Sequence, residues 1–249
     1  MHDWPEGTQK FVFDSIDSTM AEARRQAPAI SGSAWFLSRK QTKGIARRGR
    51  VWDSQYGNFA ASLLIRPDST ADQLALRSFV ASLALYETLV ALSGRNDAFM
   101  LKWPNDVLLR GGKLAGILLE TLPERRRNPA LIIGIGVNLV NVPTQDKLEE
   151  GFTAPRSLAQ DLGFQVTPED FLDVLAPQFA HWEFQLCTYG FAPIRTAWLS
   201  KAANVGKIIT ARMAKTSLVG TFKTVDETGA LILQAADGRH AITAADISF

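Results

Sequence analysis

The 249 residues carry 27 Lys and Arg against 25 Asp and Glu, a formal charge of +2, and 46% of them are hydrophobic. Such a chain can bury a sizeable core, and the balanced charge argues against disorder and against a surface dedicated to nucleic acid, so any basic patch must be local. The single cysteine, Cys187, excludes an internal disulfide and a multi-cysteine metal site. The first residues lack a charged-then-apolar leader and no apolar run reaches the ~20 residues of a membrane span, so the expectation is a cytoplasmic protein with no membrane partner.

In chain order, a strand is expected at 11–13, then the polar cluster Asp14-Ser-Ile-Asp-Ser-Thr19, then a helix from Met20. Thr19 with Glu22 reads as a capping box, which sets the hydroxyls of Ser18 and Thr19 at a helix N-terminus; capping alone and ligand contact explain them equally well. Strands at 34–37 and 58–65 flank Gln41-Thr-Lys-Gly-Ile-Ala-Arg-Arg-Gly-Arg-Val-Trp52. Gly44 and Gly49 tolerate positive φ and close contact, and Arg47, Arg48 and Arg50 add forked cationic donors, so this loop reads as an anion site.

Thr70 and Gln73 make a second capping box ahead of one long helix, apolar over much of its girth and ended by Gly94. A strand at 99–102, a kink at Trp103-Pro104-Asn105, a strand at 106–109, a Gly111-Gly112 turn and a strand at 113–120 follow. Pro104 lacks an N–H and bends the chain so that Asn105 points into a cleft. Arg125-Arg-Arg127 reads as a solvated turn. The strand at 131–139 is apolar throughout except at Gly134, Gly136 and Asn138, and the two glycines leave one face open to something close. No helix follows to make a dinucleotide fingerprint of it. A helix capped by Thr167, with Pro168 in its first turn, runs towards Cys187, which is assigned to packing, and a further helix covers 193–203. From 205 to 249, short strands separated by Asp226-Glu-Thr-Gly229 and Asp237-Gly238 turns read as a small β-barrel.

Three polar groups interrupt the apolar pattern: the basic loop, Lys102-Trp-Pro-Asn-Asp106, and Lys113 at the head of Lys-Leu-Ala-Gly-Ile-Leu. With the Gly134-Ile-Gly-Val-Asn138 strand they resemble, in order and spacing, the fingerprint of the biotin protein ligases, from about Phe11 to the C-terminus. The resemblance implies an α+β fold: a central mixed β-sheet flanked by helices, of class II synthetase type, in residues 1–203, and an SH3-like β-barrel in residues 204–249. It also implies a two-step reaction, in which biotin and ATP give biotinyl-5′-AMP and pyrophosphate and an acceptor lysine then attacks the mixed anhydride. ATP and Mg2+ are the implied cofactors, biotin the substrate, and a biotin carboxyl carrier domain the partner.

Residue by residue, the resemblance makes Lys113 and Arg47 catalytic. Two like charges ~4 Å apart at an effective dielectric near ~20 repel by ~4 kcal/mol, and Lys113 matches the lysine that bridges the biotin carboxylate and the α-phosphate. Arg47 matches the arginine that retains the adenylate. Ser18, Thr19, Gln41, Gly44, Arg47, Lys113 and Gly116 fall at biotin positions, and Arg47, Arg50, Trp52, Asn105, Lys113 and Asn138 at ATP positions. Asp106 could hold magnesium or orient Asn105 or a lysine, and Arg48 is expected to face solvent.

The chain departs from the pattern twice. Gly44-Ile45-Ala46 stands where the family usually has Gly-Arg-Gly, and Met20 where it usually has asparagine. Ile45 makes no ion pair and the Cβ of Ala46 disfavours positive φ, so altered closure of the loop over biotin is expected. A lipoate protein ligase, a catalytically weak biotin-binding sensor and a nucleic-acid-binding module using the three arginines stay open. About ten residues ahead of Phe11 leave no room for two packed helices, so no DNA partner is expected. An exposed edge of the central sheet could support a homodimer.

Overall fold

Two sheets organise the chain, whose computed structural model describes residues 3–123, 129–143, 153–213 and 216–249. The first is built from β1 (Gln9–Phe13), β2 (Ala34–Ser38), β3 (Phe59–Ile65), β4 (Phe99–Lys102), β5 (Asp106–Leu109), β6 (Gly112–Leu122) and β7 (Ala130–Val137), in the order β1-β2-β3-β7-β6-β5-β4. It is mixed: β1 and β2 run parallel and every other pairing is antiparallel. The second holds β8 (Ile208–Arg212), β9 (Ser217–Val225), β10 (Leu231–Ala235), β11 (Gly238–Ile242) and β12 (Asp246–Ser248), antiparallel in the order β11-β10-β9-β8-β12.

Side chains alternate across a strand, and β7 shows what the alternation does here. Leu131, Ile133, Ile135 and Val137 enter the main core, beneath α3 (Arg77–Ser93) and α5 (Pro168–Tyr189). Ala130 and Ile132 face the opposite way, into a smaller cluster under α1 (Thr19–Gln26). Gly134 and Gly136 continue that second row, so beyond α1 this face of β7 is bare of side chains. The main core runs on without a break into the second sheet, where Phe222, Val225, Leu231 and Leu233 are buried with the residues of β3 and β7. Burying one such side chain stabilises the fold by roughly 1.5–3 kcal/mol. Trp103 adds a polar tie, its indole N–H donating to the Gly229 carbonyl at 3.0 Å. Among the described residues no helix is long and apolar enough to cross a membrane.

Several local expectations are corrected. Ser18, not Thr19, caps α1, its side-chain oxygen accepting from the Ala21 N–H at 3.4 Å, because the Thr19 hydroxyl is engaged by Gln41 and Ser62. The long helix after Thr70 is two, α2 (Ala71–Leu74) and α3. At the break the buried Arg77 donates to the Gln73 carbonyl at 3.2 Å and pairs with Glu183 at 2.8 Å. Gly94 does end α3 in the left-handed region, at φ 68°.

The β5–β6 turn is Arg110-Gly111, both at positive φ, as a two-residue hairpin turn of this hand requires. Gly112 already pairs with Leu109; its lack of a Cβ serves a different need, since a Cβ there would lie 2.7 Å from the Ala154 carbonyl oxygen. Cys187 is exposed near the end of α5, its Sγ 3.4 Å from Glu183, and is no part of the core. The expected Arg125-Arg-Arg127 turn lies outside the described residues. Two further helices, α4 (Leu158–Leu162) and α6 (Phe191–Lys201), complete the order, and Thr167 caps α5 as expected.

Candidate active site

A cavity of about 850 Å3 opens on the bare face of the large sheet, roofed by the 41–52 loop and closed at one side by β8 and β12. Its floor follows from strand register. Asp106, Gly116, Gly136 and Ala60 are neighbours across β5, β6, β7 and β3, a trough of small residues with a carboxylate at one end. The indole of Trp52 lies in this trough: a Cβ on Gly136 would sit 2.3 Å from its Cε2, and one on Gly116 3.3 Å from its Cζ3. One row away, Leu118, Gly134 and Ser62 are neighbours, and Met20 covers Gly134, where a Cβ would meet its Sδ at 2.7 Å. The openness expected at the two glycines is therefore real, and Trp52 and Met20 are what come close.

The basic loop folds back on itself as a small hairpin. Trp52 donates to the Gly44 carbonyl at 3.0 Å and Ala46 to the Arg50 carbonyl at 2.7 Å. Its tip, Arg47–Gly49, is a single 3-10 turn in which Arg48 at φ 58° and Gly49 at φ 73° are left-handed. Gly44 is needed for close approach: a Cβ there would stand 2.5 Å from the Trp52 carbonyl oxygen. It serves the loop's own backbone and does not border the cavity, against its expected place beside biotin. Ala46 sits at φ −116°, extended backbone that its Cβ tolerates, so the strain expected at this departure is missing.

At the apolar end of the cavity, the Thr19 N–H and hydroxyl both reach Gln41 Oε1, at 2.8 and 3.1 Å, and the Thr19 and Ser62 hydroxyls are 2.7 Å apart. Ser18 and Thr19 are both buried there. At the other end, Lys113 Nζ is 2.7 Å from Asp106 Oδ1, so the carboxylate orients this lysine. Asn105 donates to the Ile117 carbonyl at 2.6 Å and accepts from Arg47 Nη1 at 3.0 Å, so the residue after the kink braces the loop. Asn138 is buried, donating to the Arg156 carbonyl at 3.1 Å. Burial works against the Arg47 cation and lowers its pKa, a cost partly offset by Asp246 and Asp106.

The second sheet contributes more than sequence reasoning assigned to it. Asp246 of β12 receives Arg48 at 2.5 Å, with Arg47 and Arg50 each 3.8 Å away. Arg48 thus pairs across the cavity mouth instead of simply facing solvent. Among the described residues, six cationic side chains (Arg47, Arg48, Arg50, Lys102, Lys113 and Arg212) border the cavity against three carboxylates, Asp53, Asp106 and Asp246. Lys102, Ser62, Arg212 and Asp246 had no role assigned from sequence. Lys102 stands in the quoted Lys-Trp-Pro-Asn-Asp segment and could have been found there; Asp246 carries no local signal. The arrangement can hold a ligand with an uncharged polar head at one end and several negative charges at the other.

Residues 12–138 match the Biotin/lipoate A/B protein ligase family, and residues 205–249 match the Biotin protein ligase C terminal domain. A Paracoccus denitrificans protein named biotin--[acetyl-CoA-carboxylase] ligase is 50% identical over 94% of this chain and 97% of its own length. The bifunctional ligase/repressor BirA of Bacillus subtilis is 34% identical over 97% of this chain and 74% of its own. Among solved structures, the Aquifex aeolicus biotin protein ligase in complex with biotin and ATP has the same fold, with a TM-score of 0.81 at 23% identity over 96% of this chain and 97% of that one.

Proposed function

Because the chain belongs to the biotin/lipoate A/B protein ligase family, we propose that its cavity holds biotin and ATP end to end, with Lys113 at their junction. The enzyme is an ATP-dependent, AMP-forming ligase: it activates biotin to biotinyl-5′-AMP and transfers biotin to a lysine of a biotin carboxyl carrier protein, using Mg2+. Lys113 supports the assignment of roles most strongly. It borders the same cavity as Thr19, Gln41 and the arginine loop, 2.7 Å from Asp106, and in this reading the carboxylate and the α-phosphate meet beside it. A compact ammonium there offsets their repulsion and follows the negative charge that builds on the transferring group.

At the biotin end, Ser18, Thr19 and Gln41 supply donors and an acceptor for the ureido ring, beside the apolar Met20 and Leu118. Trp52, seated on Gly116 and Gly136, offers its free face to adenine, while Arg47 and Arg50 hold phosphate oxygens and Asn105 and Asn138 complete the nucleotide side. The described residues contain no group of three His, Cys, Asp or Glu fit to hold a metal ion. Magnesium typically takes one or two carboxylates plus substrate phosphates, and in this reading Asp106 would be the carboxylate to contribute.

Residues 1–203 perform the chemistry in this reading and 204–249 close the site. The acceptor is a carrier domain that presents its lysine at the cavity mouth. A cytoplasmic location, no DNA partner, in keeping with the +2 charge, and a homodimer through edge strand β1 or β4 belong to the same reading. ATP–pyrophosphate exchange with biotin or lipoate supplied in turn tests it. Biotin-dependent exchange is expected; exchange with lipoate alone would make the chain a lipoate ligase, and exchange with neither acid a binding protein.

A further inference from the structure

The second sheet has an outer face that begins at the cavity and carries apolar residues into water. Along β8, Ile209 and Ala211 turn into the core, so Ile208, Thr210 and Arg212 point the other way. Strand register extends the alternation sideways. Ser248 of β12, Thr210 of β8 and Val219 of β9 form one row, Asp246, Arg212 and Ser217 a second, and Ile208 and Thr221 a third. Ser248, Asp246 and Arg212 border the cavity, while Ile208 and Val219, 70% and 58% exposed, lie beyond them on the same face. A strand face turned to water normally carries polar side chains, as Ser217 does on β9. Ile208 and Val219 depart from that together, as diagonal neighbours across β8 and β9.

We infer that this face is where the biotin-accepting carrier domain docks, with Ile208 and Val219 as the apolar anchors. The inference rests on the reading that the chain biotinylates a carrier lysine. A lysine side chain that enters the cavity holds the body of its own domain against the rim, and the face is continuous with that rim at Ser248 and Arg212. Charge sets the partner's chemistry. Arg212, Lys207 and Lys223 are exposed cations, whereas Asp246 is engaged by Arg48 at 2.5 Å, so a carrier with acidic residues around its acceptor lysine complements this surface. Two large apolar side chains among serines and threonines make too slight a patch for the ~1,000 Å2 or more that a lasting dimer buries, and they suit a partner that leaves after each transfer.

Steady-state biotin transfer to the biotin-free carrier domain of an acetyl-CoA carboxylase tests the inference, with the wild-type chain and its Ile208→Glu, Val219→Glu and doubly substituted variants. Hydroxylamine, a small nucleophile that captures activated biotin without docking, serves as the control acceptor. KM for the carrier should rise about tenfold in each single variant and further in the double, because each carboxylate removes an anchor and repels acidic residues. Biotin-dependent pyrophosphate exchange and capture by hydroxylamine should keep their wild-type rates, which also shows that the variants fold. An unchanged carrier KM in the double variant would overturn the inference. So would equal losses in transfer and in hydroxylamine capture, which would trace the effect to the cavity. A wild-type chain that sediments as a dimer and becomes monomeric in the double variant, at unchanged carrier KM, would give the face to a second copy instead. Wild-type exchange with normal transfer by the double variant sinks the docking face alone, whereas no exchange by the wild type sinks the biotinylation reading and this inference with it.

Discussion

Lys113 is one-third exposed, and the Asp106 carboxylate at 2.7 Å keeps it aimed across the hairpin. Replacing it with methionine keeps the stem and removes the charge. Adenylate formation is expected to slow by about 10²- to 10³-fold, with biotin affinity little changed, because the interaction grows as charge develops. Pyrophosphate exchange at saturating biotin reads this directly, and a rate within a few-fold of wild type would show that the bridging charge comes from elsewhere. The two irregular residues of the loop behave differently from one another. Ala46 is unstrained at φ −116°, whereas Ile45 is half exposed and bridges Val51 without any polar contact. In biotin calorimetry, an Ile45→Arg, Ala46→Gly double variant should therefore match Ile45→Arg alone, and a further gain from the glycine would contradict the geometry. The sequence made Lys113 stand out because charge is rare in apolar strands, and Arg47 because it sits in a basic, glycine-punctuated loop. It could not show the conformation at Ala46, since φ is set by hydrogen bonds the whole loop makes.

Among the elements, the trough across β5, β6, β7 and β3 decides where the Trp52 ring sits, and in the proposed reading that ring faces the nucleotide. Gly136→Ala would put a methyl 2.3 Å from the Trp52 ring against backbone that cannot yield, so the indole must leave its seat. ATP should then bind about tenfold or more weakly if the stacking face is lost, while biotin binding changes less, a split that separate titrations of ATP and biotin would reveal. An unaltered ATP affinity would mean that Trp52 does not stack on the base. Gly134 and Gly136 were readable as gaps because period-two alternation assigns them a face. What fills the gaps was not, since Met20 and Trp52 come from distant segments. The slipped turn at Arg110-Gly111 and the break between α2 and α3 have the same origin. Gly112 is claimed by the chain at Ala154 and Arg77 by Glu183, and neither partner is a sequence neighbour.

For the whole molecule, the change of pattern near Val205 marked a second unit correctly in kind, an antiparallel sheet of short strands. It did not show that this sheet shares the core of the first. With Phe222, Val225, Leu231 and Leu233 inside that core and Trp103 bonded to Gly229, neither sheet can open alone without exposing the other's interior. A single calorimetric unfolding transition is expected, with calorimetric and van't Hoff enthalpies equal; two resolved transitions would contradict the shared core.

Arg48 and Asp246 are 198 positions apart, and their contact turns the last strand into a counter-ion for the loop. In the proposed reading, phosphates arriving at Arg47 and Arg50 compete with a carboxylate already in place, so binding exchanges one anion for another and releases fewer salt ions than it would without Asp246. The ATP affinity of the native chain should accordingly vary less steeply with potassium chloride than that of an Asp246→Asn variant, a comparison of two slopes in which equal values would remove Asp246 from the account. In that reading, affinity at this site is measured against the protein's own carboxylate, and β12 sets the threshold that a nucleotide must exceed.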